Sequence, residues 1–156
     1  MKSIEIEETV AASIESVFAM FSDFRNAAPR ISGIESIEML TDGPTQVGTA
    51  FKETRIMMGR KATETMTVVK FEPPLLYVLD ANSCGCHYST EFLFTSVAGG
   101  TQIRMTFCST AISLIAKIML VVMKPFMGKL MNVCRTAIQK DIQDLKAVLE
   151  SSPQEL

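Results

Sequence analysis

Glu53, Arg55 and Glu64 are charged residues in a stretch whose alternation is otherwise apolar. If the Met58-Gly59 turn pairs Met57 with Arg60, antiparallel pairing sets Glu53 opposite Glu64, with Arg55 adjacent to both. They would then share one face with Phe51, Met57, Ala62, Met66 and Val68. An isolated charge is very costly to bury, so the arginine must pair with one or both carboxylates, and surplus negative charge must be solvated, protonated or met by a ligand donor. Three chemistries are open to such a trio. It can be an ion-pair cluster that only fixes strand register, a polar anchor for a ligand, or a general acid/base with a raised pKa.

Other reactive side chains offer less. Cys84, Cys86 and His87 form a Cys-x-Cys-His run, but zinc sites usually carry two intervening residues and a fourth ligand would have to come from Cys108 or a carboxylate across the sheet, so a hairpin end is expected and no metal. The many serines have no G-x-S-x-G elbow to sit in. Gly59 and the pair Gly99-Gly100 fall between strands, not in a strand-to-helix phosphate loop, and supply turns.

The elements that must carry the trio follow from periodicity. Residues 3–10 alternate as a strand. Ser13 is a suitable N-cap for a short helix of about 10 residues bearing Ile14, Val17, Phe18 and Phe21, and Asp23 for a helical turn over 24–28. Strands follow at 34–40, 48–57, 62–72, 75–83, 86–97 and 101–110, separated by links too short for parallel crossovers. Seven strands result. Beyond them, Leu130, Met131, Cys134, Ala137, Ile138, Ile142, Leu145, Val148 and Leu149 recur at helical spacing. The expectation is a lead-in from about Ser113, a kink near Lys124, and a main helix from Pro125 to Glu150. A single domain covers 1–150, and 151–156 is expected to fray.

The same pairing rule extended around the sheet puts Tyr77, Leu79, Ala81 and Ser83, then Tyr88, Thr90, Phe92 and Phe94, then Ile103, Met105, Phe107 and Ser109 on the face of the trio. Bulges are the risk to this register. That set is richer in apolar residues than the other, which carries Asp80, Asn82, Glu91 and Arg104, so it should face inward.

The 156 residues carry 15 Lys+Arg against 17 Asp+Glu, a net charge of -2, so the broad basic field that draws nucleic acid is missing. Four cysteines (Cys84, Cys86, Cys108, Cys134) and no basic-then-apolar leader point to free thiols in a reduced, cytoplasmic compartment. The apolar run 111–123 is broken by Lys117 and closed by Lys124 and Pro125, short of the roughly 20 residues that cross a bilayer. Residues 114–127 are read as a buried helical lead-in, with gating of a cavity or contact with a membrane surface as alternatives. The 11 methionines suit irregular apolar space, as core filling or as the lining of a cavity for a flexible guest.

One strand, two short helices, six antiparallel strands and a long terminal helix leave few compact arrangements, because the sheet must bury a face and the helix a stripe. Residues 10–18 (VAASIESVF), 47–49 (VGT), 71–74 (FEPP), 100–101 (GT) and 144–146 (DLK) fall at the first helix, at strand openings and turns, and near the end of the last helix. With these stretches the order resembles the α+β helix-grip fold of the START-related and polyketide cyclase/dehydratase superfamily, often called SRPBCC, over essentially the whole chain, and 53–64 (ETRIMMGRKATE) resembles a bacterial subgroup. The resemblance implies a pocket between the concave sheet and the terminal helix, used across the family for lipids, sterols, polyketides, plant hormones or quinones. It implies no universal catalytic set, so no catalytic role carries over by position; no cofactor is expected.

The leading expectation is a carrier for a small hydrophobic molecule, lined by Phe51, Met66, Tyr77, Leu79, Tyr88, Phe92, Met105 and Phe107 and anchored by Glu53, Arg55 and Glu64. A second is a cyclase/dehydratase-type enzyme in which Glu53 or Glu64 moves a proton beside a carbonyl while Arg55 or a tyrosine steadies the oxyanion. A third is a module that docks a partner or membrane through 114–127.

Overall fold

The computed structural model describes residues 2–151. Seven strands form one antiparallel sheet in the order β1-β7-β6-β5-β4-β3-β2. They are β1 (Lys2–Val10), β2 (Ile34–Met39), β3 (Ala50–Met57), β4 (Arg60–Glu72), β5 (Leu76–Ser83), β6 (Cys86–Val97) and β7 (Gly100–Ala111). Helix α1 (Ile14–Phe21) and a 3-10 turn at Phe24–Asn26 separate β1 from β2. After β7 come α2 (Leu114–Met123), a 3-10 turn at Lys124–Phe126 and α3 (Met127–Ser151). This is the helix-grip architecture, a curved sheet closed by a long C-terminal helical segment.

Local chemistry accounts for the boundaries. Ser13 accepts the Ser16 N–H and caps α1, and Ser113 accepts the Ala116 N–H and caps α2. Asp23 makes no backbone cap; its carboxylate takes the Asn26 amide and the Arg30 guanidinium instead, and the turn is correspondingly shorter than 24–28. Pro125 falls in the 3-10 turn, where the chain needs no continuous helical ladder, so the kink lies where a proline requires it. Ser151 completes α3; the rest of the segment expected to fray, 152–156, lies outside the described residues.

The register agrees with the pairing rule: Met57 faces Arg60, Glu53 faces Glu64 and Phe51 faces Met66. Tyr77 faces Phe92, and Phe92 faces Met105. Two bulges interrupt the ladder, in β2 between Ile34 and Ser36 and in β4 between Val68 and Lys70. The second brings Phe71 opposite Tyr77, onto the inner face.

The concave side divides into two halves. Strands β3, β5 and β7 all run toward the end that holds the hairpin turns at 58–59 and 84–85. At the other end α1 and its 3-10 turn plug the grip: Phe18 lies 5.4 Å from Phe71, and Phe24 stacks on Phe51 at 4.8 Å. The C-terminal half of α3 seals the same region with Ile142, Leu145 and Leu149. At the hairpin end the α3 residues Met131, Cys134 and Ile138 are only half buried.

The lead-in helix forms where it was expected, but it is not buried. In α2 only Ala116 is buried, and the rest of the helix is exposed. A proline kink and a single small residue at the contact let α2 rest on the 84–85 turn without sinking its large side chains into the core.

Candidate functional site

Arg55 is a strut between β3 and α3. Its Nε donates to Glu53 Oε1 at 3.1 Å, while Nη1 and Nη2 reach the two Asp141 oxygens at 3.1 and 2.8 Å. This is a bidentate fork across the open side of the grip. Side-chain exposures of 17%, 13% and 18% for Arg55, Glu53 and Asp141 leave little room for a competitor. Burial works against the charge on Arg55, but Asp141 and Glu53 outweigh it and its pKa is raised. Burial pushes Asp141 up, against the pull of the guanidinium. Gly33 packs onto the fork: a Cβ there would come within 3.2 Å of Arg55 Nη1 and 3.4 Å of Asp141 Oδ1.

Asp141 did not stand out in the sequence. It directly precedes the buried Ile142 and follows Ile138 by three residues, so helical spacing puts it beside the inward stripe. That was the available signal, but which strand it meets depends on how α3 lies.

Glu64 has no such partner. It is half buried on the inner wall of β4, and among the described residues no hydrogen bond or ion pair reaches its carboxylate. Burial raises its pKa, and Arg55 only partly offsets this. Glu64 in turn acts on Tyr88 of β6 and Cys134 of α3, raising both. Tyr88, pushed up to about 12 chiefly by burial, remains a neutral phenol with a proton to donate. Its ring stacks on Phe107 with centroids 5.8 Å apart.

The residues expected to line a cavity therefore fall into two groups. Glu53, Arg55, Glu64, Met66, Leu79, Tyr88, Phe92 and Phe107 face the concave side and keep accessible surface. Phe51, Tyr77 and Met105 are a correction: at 1%, 2% and 0% exposure they are sealed core, with no surface left for a guest. The phenylalanines of α1 and its turn cover the first two. Tyr77 lies at 6.0 Å from Phe18 and 5.5 Å from Phe24, and its hydroxyl donates to the Phe21 carbonyl at 3.0 Å.

A cleft of about 410 Å3 separates the β3–β4 hairpin tip (Ile56, Met57, Met58) from the α3 residues Lys129, Val133 and Ala137. A second, of about 430 Å3, lies at the opposite end around Ser13, Ile14, Ser96 and Gly100, away from the charged wall. The first adjoins the half-buried wall, because Met57 continues the face of Arg55. That wall, with apolar rings, one unmatched carboxyl and a phenol donor, can hold an apolar molecule and exchange a hydrogen bond with it.

Cys86 and His87 are consecutive in a strand and so point to opposite faces. On the convex face, His87 Nδ1 is 3.0 Å from Asn82 Oδ1 and Nε2 is 3.3 Å from Asp80 Oδ2. Among the described residues no group of three or more His, Cys, Asp or Glu is arranged to hold a metal. The four cysteines are free thiols, and no helix among these residues is long and apolar enough to cross a membrane.

A curved sheet gripping a helix, with a part-open concave wall, defines the class. The chain belongs to the polyketide cyclase/dehydrase and lipid transport family, whose model matches residues 1–150. No curated protein matches it significantly in sequence. Among solved structures it resembles TTHA0849 from Thermus thermophilus, with a TM-score of 0.76, 16% identity, and 97% and 100% of the two chains covered. It is also similar to the Zhui aromatase/cyclase from Streptomyces sp. R1128, with a TM-score of 0.72, 18% identity, and 96% and 93% covered. The di-domain ARO/CYC StfQ of the steffimycin biosynthetic pathway gives a TM-score of 0.78 at 14% identity; 95% of this chain covers 50% of that one. At these identities the likeness concerns the fold.

Proposed function

We propose that this chain binds a small, neutral, apolar molecule carrying a hydroxyl or carbonyl group, held between the hairpin end of the sheet and the N-terminal half of α3. The observation behind this is the unmatched Glu64. Arg55, the cation that could neutralise it, is already committed to Glu53 and Asp141. The wall thus carries three carboxyl groups around one guanidinium, which disfavours an anionic head group and suits a guest that donates to Glu64 or accepts from Tyr88. Affinity comes mainly from apolar area leaving water, roughly 25 cal/mol per Å2, and the polar pair sets orientation. The free thiols suit a reduced compartment, where we place the protein.

Titration calorimetry with 2-naphthol and 2-naphthoate, which share the bicyclic ring but are neutral and anionic at neutral pH, tests this reading. The expected result is at least tenfold tighter binding of the naphthol, a gap that narrows in Glu64→Gln. Equal or tighter binding of the carboxylate, or no heat from either, would overturn it.

The family description and the raised Glu64 carboxyl favour a second reading, proton transfer beside a ketone, with Glu64 as acid/base and the Tyr88 phenol facing the developing oxyanion. It predicts accelerated deuterium exchange at the acidic carbon of 2-tetralone, lost in Glu64→Gln. An unaccelerated rate with the unaltered protein rejects it.

A further inference from the structure

Helix α2 presents an apolar stripe that nothing in the fold covers. Leu114, Ile115, Ile118, Val121 and Val122 lie on one side at helical spacing, away from the buried Ala116, and each is between 54% and 75% exposed. Phe126, 64% exposed, extends this surface into the 3-10 turn. A contiguous apolar surface of this kind marks an interaction site. Charge identifies the occupant. From residue 111 to 140 the chain has Lys117, Lys124, Lys129, Arg135 and Lys140 and not one acid, although the whole chain is net negative. Lys117, Lys124 and Lys129 have no ion pair among the described residues. A helix with an apolar face flanked by lysines, too short to span, is suited to lie in a bilayer interface. A second copy fits less well. Two-fold pairing through this stripe would bring the lysines of both copies together with no acid between them.

We infer that α2 docks the hairpin end of the domain on an anionic phospholipid bilayer. Ile112 and Ser113 N–H groups both donate to the Gly85 carbonyl, at 2.9 and 3.1 Å, which fixes α2 beside the turn leading to Cys86 and Tyr88. Docking therefore turns the half-buried wall toward the membrane, whatever molecule that wall binds. The inference goes beyond the ligand reading, and vesicle binding can fail or succeed independently of 2-naphthol binding.

The test is flotation of the full chain with vesicles of phosphatidylcholine alone and with 30% phosphatidylglycerol. The expected result is binding to the anionic vesicles only. Ile115→Glu with Val122→Glu should reduce the bound fraction at least tenfold, and each neutralisation of Lys117, Lys124 or Lys129 should weaken binding on the order of fivefold. Because the chain has no tryptophan, Ile118→Trp gives a single-site reporter whose emission should shift to the blue and be quenched by brominated lipid. Leu75→Trp, at the opposite end, should do neither. The inference is overturned if the folded protein fails to float on anionic vesicles or the glutamate pair floats undiminished. It is also overturned if sedimentation shows a dimer that the glutamate pair dissolves while vesicles are ignored.

Discussion

The contrast between Arg55 and Glu64 separates what the charged wall does for the fold from what it offers a guest. Arg55 is satisfied on both sides and ties the sheet to α3, so removing Asp141 leaves a largely buried cation with one partner. Glu64 contributes the opposite: its ionised form is disfavoured by burial, so it weakens the folded state where it is charged. For an acid whose pKa is raised on folding, the native state binds more protons, and stability falls as pH rises through the folded pKa. Glu64→Gln should therefore be more stable than the unaltered protein in urea at pH 7. The difference should close as pH falls toward and below the ordinary glutamate value of 4.5. A Gln variant less stable at pH 7 would show that the carboxylate has a partner, and a difference that does not change with pH would show that folding leaves its proton affinity unaltered; either contradicts the account. The trio itself was legible in the sequence because alternation and a two-residue turn dictate who faces whom. Asp141 was not, because its partner is set by how α3 tilts over the sheet, a tertiary quantity that helical periodicity does not carry.

Among the elements, the strands read well from the chain because Gly and Pro punctuate them and short links force antiparallel neighbours. What resisted was the placement of α1 and α2. The pattern in α1 announces a buried face but not that its phenylalanines would cover Phe51 and Tyr77, closing half of the concavity. In α2 the composition suggested burial, whereas only Ala116 is buried. The anchorage of α2 rests on Gly85, at φ +73 in the β5–β6 turn, where a Cβ would run into Ser113 Oγ and crowd the Ala116 methyl. Gly85→Ala should cost about 1–3 kcal/mol, combining the left-handed backbone with displacement of the α2 cap. Amide exchange in α2 should rise while that of β4 and β7 stays unchanged. A variant with unaltered stability and protection in α2 would mean the helix is held by other contacts.

In the whole molecule, packing and charge are distributed along one axis. The end with α1 and the last turns of α3 has an aromatic, buried interior with a cleft only on its outer surface; the end with the hairpin turns and α2 is half open, apolar on its rim and basic. Most of the buried aromatic core lies at the first end, and the second keeps the unmatched Glu64 and the exposed apolar surface of α2. The chain belongs to the polyketide cyclase/dehydrase and lipid transport family and has the helix-grip fold, and the proposed guest site is the half-buried wall at the hairpin end. Methyl-resolved NMR of the 11 methionines during a 2-naphthol titration examines that claim most directly, since Met66 and Met131 face the open half, Met105 is sealed, and Met119 is 53% exposed on α2, away from the cleft. The account predicts saturable shifts at Met66 and Met131, with Met105 and Met119 unmoved; shifts confined to surface methyls, or none, would contradict it.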